Sequence, residues 1–394
     1  MNRSTPSLES PATQAISSKL PDIGTTIFTV MSELAREHGA LNLSQGFPDF
    51  DGPPRLLERV QYYLTHDCNQ YAPMMGVPAL REAVATKVED LYGLKLDPAA
   101  EITITSGATE ALFCAITAVV EPGDEVIVFD PAYDSYEPVV RLQGGITHHV
   151  PMHPPQFKVD WDRVADLVND RTRLIITNTP HNPTGSAWDN ADINALQQIV
   201  AGRNLFVLAD EVYEHILFDG RRHESLCRYP ELFQRSFVVS SFGKTYHTTG
   251  WKIGYCCAPP ALTEEFRRIH QYVTFTSNTP VQLGLADFLN ECPEHHLQLS
   301  GFYQHKRDLF CELLAGSRFS VLPSAGTYFQ LLDYSEISDE VDTELAIRLT
   351  REAKIASIPV SPFYEQDPGH KVLRFCFAKD DATLRHGAEI LCSL

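Results

Sequence analysis

The sequence predicts an α/β fold: a large domain built on a mostly parallel sheet covered by helices, joined to a smaller α+β domain. Two observations carry this. Between residues 126 and 257, short apolar runs alternate with helical segments, and such alternation builds parallel strands connected by crossover helices. From residue 300 the style changes to short strands interleaved with two helices. The chain has 394 residues, enough for one large unit and one small one. Its 43% hydrophobic and 21% charged content is that of an ordinary globular protein.

Taken in order, residues 1–20 are polar and read as a loosely draped arm without an apolar signal core. Ile27, Val30, Met31 and Leu34 have helical spacing, which predicts a helix over 25–37. A short strand at 41–43 leads into the loop Ser44–Phe50. The irregular stretch 71–76 precedes a helix with Leu80, Val84, Val88 and Leu91 on one face. A strand at 102–105 meets Ser106-Gly107-Ala108-Thr109, which opens a helix whose inward face is Leu112, Ile116 and Val119. Further strands are expected at 126–129, 174–177, 205–209, 237–240 and 253–257, with helices between them, for example 191–200. Helices at 262–270 and after Pro280 lead to the C-terminal region. There, strands are expected at 318–322, 328–332, 355–358 and 372–377, and helices at 343–353 and 382–391.

Composition excludes several functions. Net charge is −19, which is unsuited to nucleic-acid phosphates or an anionic membrane surface. No apolar run approaches the roughly 20 residues that span a bilayer, so a cytoplasmic location is expected. Nine cysteines are scattered without a Cys-x-x-Cys pair, which offers neither a zinc site nor a disulfide framework. The histidine pairs 148–149 and 295–296 lack metal-ligand spacing and read as surface residues, so no metal is expected.

Ligands of open α/β sheets bind at the carboxyl ends of the strands, so the residues just past each strand matter. They are Asp130 to Tyr133, Asn178 to Gly185, Asp210 to Tyr213, and Ser240 to Tyr255 with Lys244 at its centre. Lys244 could be a snorkelling lysine or a Schiff-base lysine kept reactive by burial and nearby positive charge. A phosphate loop is excluded, because position 238 is Val where Gly-x-x-x-x-Gly-Lys needs glycine. Asp210 ends an apolar strand and needs a cationic partner, a pyridinium nitrogen or an arginine. Tyr213 and Asn182 could bind a phenolate oxygen, and Tyr133 could stack on a flat ring. Gly107 to Thr109 with Ser241 and Lys252 could hold a phosphate at a helix start, although an ordinary helix cap reads the same way. Jointly these residues describe a pyridoxal-phosphate site.

The motifs Ser-Ser-Phe-Gly-Lys-Thr-Tyr-His-Thr-Thr-Gly-Trp-Lys-Ile-Gly-Tyr, Asn-Thr-Pro-His-Asn-Pro-Thr-Gly, Ala-Asp-Glu-Val-Tyr and Leu-Arg-Phe-Cys-Phe-Ala-Lys are together highly specific. Through them the chain, from about Leu20 onward, resembles the class I, fold-type I pyridoxal-phosphate aminotransferases. Leu-Ser-Gln-Gly-Phe-Pro-Asp-Phe and Gln-Tyr-Ala-Pro-Met-Met-Gly are similar to the kynurenine/glutamine aminotransferase subgroup, and within it to the bacterial methionine aminotransferases. The resemblance implies a seven-stranded sheet in a large domain at 51–290, and a small domain from 21–50 and 291–394. It implies that Lys244 joins pyridoxal 5′-phosphate and shuttles the proton. Asp210 would hold the ring nitrogen, Asn182 and Tyr213 the 3-oxygen, and Tyr133 the ring face. Gly107, Ala108, Thr109, Ser241 and Lys252 would form the phosphate shell. Arg374, which on pattern alone reads as a strand-edge surface arginine, would pair with the substrate α-carboxylate. Gly46 would let the substrate approach. Tyr71 and Asn278 would come from the partner subunit of a homodimer. The resemblance also implies a cis Asn182–Pro183 bond.

Phe28 stands where the kynurenine enzymes carry tryptophan. With Phe47 and Tyr71 it would form an apolar side-chain pocket, and no arginine is placed by motif to receive a second carboxylate. The expected function is therefore transfer of the amino group of methionine, aromatic amino acids, kynurenine or glutamine to a 2-oxo acid. The rival within the fold is a carbon–sulfur β-lyase acting on cysteine conjugates. A rival of another class is a non-catalytic, cofactor-binding regulator, disfavoured by the lack of a basic helix-turn-helix segment before residue 20.

Overall fold

The computed structural model describes residues 16–394. Most of the expected N-terminal arm therefore lies outside the described residues. Strands are numbered β1 Leu41–Asn42, β2 Ile102–Thr105, β3 Glu125–Asp130, β4 Ile146–Pro151, β5 Thr172–Asn178, β6 Phe206–Asp210, β7 Ser236–Ser241, β8 Gly254–Cys257, β9 Ser320–Val321, β10 Phe329–Asp333, β11 Ile355–Ala356, β12 Ile358–Pro359 and β13 Val372–Cys376.

A seven-stranded sheet runs in the order β2-β8-β7-β6-β5-β3-β4. Only β8 is antiparallel, pairing that way with both β2 and β7. Strands β2, β3, β7 and β8 are buried along nearly their whole length, as expected where helices cover both faces. Alternation divides each strand between two cores. Val126, Val128, Leu174, Ile176 and Leu208 pack on one side, while Ile127, Phe129, Ile175, Val207 and Ala209 pack on the other.

The helices follow the apolar spacing. α1 spans Ile27–His38, capped by the Thr26 hydroxyl and closed by Gly39 at φ 59°, a left-handed turn that glycine adopts at little cost. α2 is Pro54–Leu64, absent from the expected elements although Leu56 and Val60 bury one face at helical spacing; α3 is Pro78–Tyr92 and α4 is Gly107–Val119. α2 and α3 both begin with proline at the first turn, where its missing N–H costs nothing.

A second sheet, β12-β13-β10-β9, is antiparallel. The expected strand at 355–358 divides in two. Ile355 and Ala356 pair in parallel with Leu41 and Asn42, whereas Ile358 and Pro359 pair with Arg374 and Leu373. A third apolar core gathers Met31 and Leu43 with Leu299, Phe310, Phe329, Leu373 and Leu391, and reaches Tyr213 and Phe218 of the large sheet's loops. No described helix is long and apolar enough to cross a membrane.

The histidine pairs depart from the expected surface positions. His148 and His149 lie on β4, where His148 faces Glu125 and His149 bonds Asp130 at 2.7 Å. Both carboxylates come from the neighbouring strand β3. His296 is buried and His295 is half-buried, packed against His215 and His247 respectively.

Candidate active site

The carboxyl ends of β5, β6 and β7, together with the start of α4, enclose a cavity of about 140 Å³. Ten of the predicted residues line it: Gly107, Ala108, Thr109, Tyr133, Asn182, Asp210, Tyr213, Ser241, Lys244 and Lys252. Parallel strands ending at one level, each followed by a polar loop, bring them together.

Asp210 is the last residue of β6 and is buried. Its Oδ2 accepts the Tyr136 O–H at 2.7 Å and its Oδ1 accepts the Val212 N–H at 3.4 Å. Asn178 donates to its backbone carbonyl at 2.9 Å. No lysine, arginine or histidine forms a salt bridge with it among the described residues. Burial pushes its carboxyl up to about 6, against the pull of the Tyr136 bond, the Val212 N–H and the Lys244 charge. A carboxylate buried without a cationic partner can accept one from the cavity it lines.

Lys244 sits in the single helical turn after β7. Its Nζ points inward and donates to the Gly46 carbonyl at 3.2 Å, 5.8 Å from the Tyr213 ring and 5.6 Å from the Tyr328 ring. Its head group therefore faces the cavity and not the outer surface. Burial lowers its ammonium pKa to about 8; Lys252 and Arg374 push the same way, and Cys376 and Asp210 oppose. An amine titrating there has a neutral fraction available near physiological pH.

The start of α4 forms an anion cradle. Ser106 makes no side-chain cap, which leaves the first-turn N–H groups of α4 open. Gly107 has φ 72°, and a Cβ there would meet Lys252 Cε at 3.1 Å. Gly254 of β8 supports the turn from behind: a Cβ on it would come within 2.8 Å of Gly107 C and Ala108 N. Lys252, itself left-handed at φ 54°, reaches back to donate to Thr109 Oγ1 at 3.2 Å. Beneath the cradle, Glu110 accepts the Ser106 N–H at 2.8 Å and bonds His270 at 2.6 Å, and His270 holds the Met74 carbonyl at 2.8 Å.

Arg374 is the largest fully buried side chain, 1% exposed, and lies on a central strand of the small sheet. The strand-edge surface reading is corrected: β13 has β12 on one side and β10 on the other. Its guanidinium donates to Asn182 Oδ1 at 2.7 Å and to the Ser44 carbonyl at 2.9 Å, while Nε has no partner. It lies 3.9 Å over the Phe329 ring and 5.1 Å from the Phe28 ring. Among the described residues no carboxylate pairs with it, and burial lowers its pKa to about 10, still cationic near neutrality. A buried guanidinium with an unpartnered Nε and no paired carboxylate can accept a carboxylate ligand.

The Asn182–Pro183 bond is cis. Gly46 meets the site through its carbonyl, which also accepts the Tyr328 O–H at 2.6 Å; a Cβ on Gly46 would sit 2.7 Å from the Phe329 ring. Phe47 is 43% exposed and covers Lys379. Tyr71 and Asn278 do not line the central cavity. They share a separate surface hollow with Thr276 and Ser277, and Tyr71 is 86% exposed. Sequence reading misses Tyr136 and gives no role to Asn178 or Thr249, although both fall within its strand-end stretches; all three contact or line the site.

Comparison with known proteins gives the family context. The profile of the family "Aminotransferase class I and II" matches residues 39–391. The chain is 54% identical over 377 residues to the methionine aminotransferase of Escherichia coli K12, covering 96% of this chain and 98% of that protein. It is 37% identical over 378 residues to the probable N-succinyldiaminopimelate aminotransferase of Mycobacterium tuberculosis, covering 93% and 95%. A solved Escherichia coli structure described as having a methionine aminotransferase function superposes with a TM-score of 0.95 at 54% identity, covering 97% of this chain and all of that one.

Proposed function

Since the chain belongs to the class I and II aminotransferases, we propose that it carries the α-amino group of methionine to a 2-oxo acid in a ping-pong reaction with pyridoxal 5′-phosphate. Aromatic amino acids, kynurenine and glutamine belong to the same donor range. One observation carries the reading: Asp210 and Lys244 line one cavity, Arg374 is hydrogen-bonded to Asn182 of its wall, and neither Asp210 nor Arg374 has a salt-bridge partner of its own among the described residues. The 54% identity to a methionine aminotransferase supports the choice of donor.

In this reading Asp210 would accept a hydrogen bond from the ring nitrogen and Tyr133 would offer its face to the ring. Tyr213 and Asn182 would hold the ring's 3-oxygen. The first turn of α4, with Ser241 and Lys252, would bind the phosphate. When bound, the cofactor supplies an electron sink for the pair left as the substrate Cα–H bond breaks. Arg374 fixes the α-carboxylate through its fork, which orients the Cα–H bond. Lys244 Nζ takes that proton and later returns it. Tyr71 and Asn278 act across a two-fold axis in the partner's site, consistent with their place outside the central cavity. The division into a large domain at 51–290 and a small one from 21–50 with 291–394, and a cytoplasmic location, complete the proposal.

The test is a donor panel with one oxo acid, following both keto acid and ammonia. Methionine should yield its oxo acid without ammonia, and Lys244→Ala should yield none. Ammonia and pyruvate from cysteine conjugates as the main products would favour the lyase. Retained turnover in Lys244→Ala would end the proposal.

A further inference from the structure

A second cavity, of about 310 Å³, lies between the start of α1 and the turn Ser361–Phe363. It is open to the surface, lined by Ile23, Ile27, Val30, Pro362 and Phe363 with the exposed stretch Gly24 to Thr26, and among the described residues its single ionisable lining residue is Asp134. This cavity borders the candidate active site. Asp134 directly follows Tyr133, which lines the central cavity. The Ala132 N–H donates to the Phe363 carbonyl at 2.7 Å. The Phe363 ring packs on Phe28 at 5.3 Å, and Phe28 lies beside the Arg374 guanidinium.

Asp134 is half-buried, and no side chain forms a salt bridge with it among the described residues. Its charge therefore stands next to aliphatic and aromatic surface without an ion-pair partner. Burial raises its pKa, and the Arg374 charge pulls the other way, so the two groups sense each other without forming an ion pair.

We propose that Asp134 is a specificity-determining residue: the substrate's side chain enters this cavity, and the Asp134 carboxylate turns away substrates that carry a second carboxylate. The inference rests on the aminotransferase reading above. A neutral side chain such as that of methionine meets aliphatic and aromatic surface. A side-chain carboxylate would lie beside a like charge, with the Arg374 guanidinium already engaged by the α-carboxylate. Both half-reactions use one site, so the filter acts on the oxo-acid acceptor as well as on the donor.

Glutamate and glutamine separate charge from size. The measurement is kcat/KM for methionine, glutamine and glutamate on the holoenzyme, on Asp134→Asn and on Asp134→Glu. Asp134→Asn should raise the glutamate-to-glutamine ratio about tenfold or more and leave the methionine-to-glutamine ratio nearly unchanged. Asp134→Glu should keep the wild-type ratios. An unchanged glutamate-to-glutamine ratio in Asp134→Asn, or an equal loss for all three donors, overturns the proposal. Independently of any variant, the unmodified enzyme should bind succinate about tenfold more weakly than succinamate, and equal inhibition overturns the proposal as well. Absence of methionine turnover in the unmodified enzyme would instead refute the donor assignment, a separate failure.

Discussion

Tyr136 donates its phenolic O–H to Asp210 Oδ2 at 2.7 Å, and both side chains are buried. The carboxylate proposed to meet the cofactor is thus held from behind by a neutral donor. Tyr136→Phe keeps the ring and deletes only that bond. A hydrogen bond to a charged group contributes about 1.5–3 kcal/mol, so the variant should fold normally and bind the cofactor more weakly by about tenfold or more. Equilibrium dialysis of the cofactor measures this. Unchanged affinity would mean that Tyr136 fills space and does not tune the carboxylate.

Asp210 sets function against stability. Burial raises its carboxyl from 3.8 to about 6, so the folded chain binds this proton more tightly than the unfolded chain does. The stability it contributes is fully present below the unfolded value and is lost as pH rises through 6. At pH 8 the ionised form is a burden on the cofactor-free protein. Asp210→Asn should therefore stabilise the cofactor-free fold at pH 8 by about 1–3 kcal/mol, with the difference shrinking toward pH 4, while transamination collapses. Urea unfolding at the two pH values tests it, and a variant less stable than the parent at pH 8 would contradict it.

Much of the site is legible in the sequence because strand ends are legible. Apolar runs mark β5, β6 and β7, and the loops after those runs carry Asn182, Asp210, Tyr213 and Lys244. The failures share a cause, namely partners distant in sequence. Arg374 reads as an edge residue until β10 and β12 are seen on either side of it. His149 looks like a surface residue until Asp130 on the neighbouring strand supplies its partner. Strand β4 escapes a sequence reading because Ile-Thr-His-His-Val-Pro is a polar edge strand whose carboxylate partners lie on β3. Helix α2 has no partner in its own segment; it packs on the helix Thr279–Glu291 through close contact of Val60 with Gly284.

The buried histidines set the acid limit of the fold. Burial lowers His247 and His296 to about 4 and His181 to about 3, and lowers His215, His295 and His370 as well. Their stability contribution is present above the unfolded value of 6.5 and falls as pH drops toward 4. His149 and His270, raised through Asp130 and Glu110 despite burial, act in the opposite sense, but six lowered groups outweigh two. Unfolding at pH 5.5 should therefore take up protons through the histidines. His296 is a clean probe, since its Nδ1 is buried without a partner. His296→Asn should flatten the stability–pH slope between 6.5 and 4.5 by up to about 1.4 kcal/mol per pH unit. An unchanged slope would show that His296 is already charged in the folded state.

The position of Tyr71 makes the sharpest demand on the proposed dimer. The ring is 86% exposed, meets only Phe275 among aromatic neighbours, and lies outside the cavity that holds Lys244. A tyrosine that acts in its own chain's site would line that cavity; one that acts across a two-fold axis would lie outside it, as Tyr71 does. Tyr71→Ala should leave the fold of each subunit intact, because little buried surface is lost, yet reduce turnover strongly. Lys244→Ala should abolish turnover from within the cavity. Unfolding and refolding the two variants together at equal amounts makes half of the dimers mixed. Each mixed dimer holds one site with both Lys244 and the partner's Tyr71 intact, and one site lacking both. Activity should therefore return to roughly a quarter of the parent's. If Tyr71 served its own chain, every site in the mixture would lack one of the two groups, and no activity would appear beyond the sum of the separate variants.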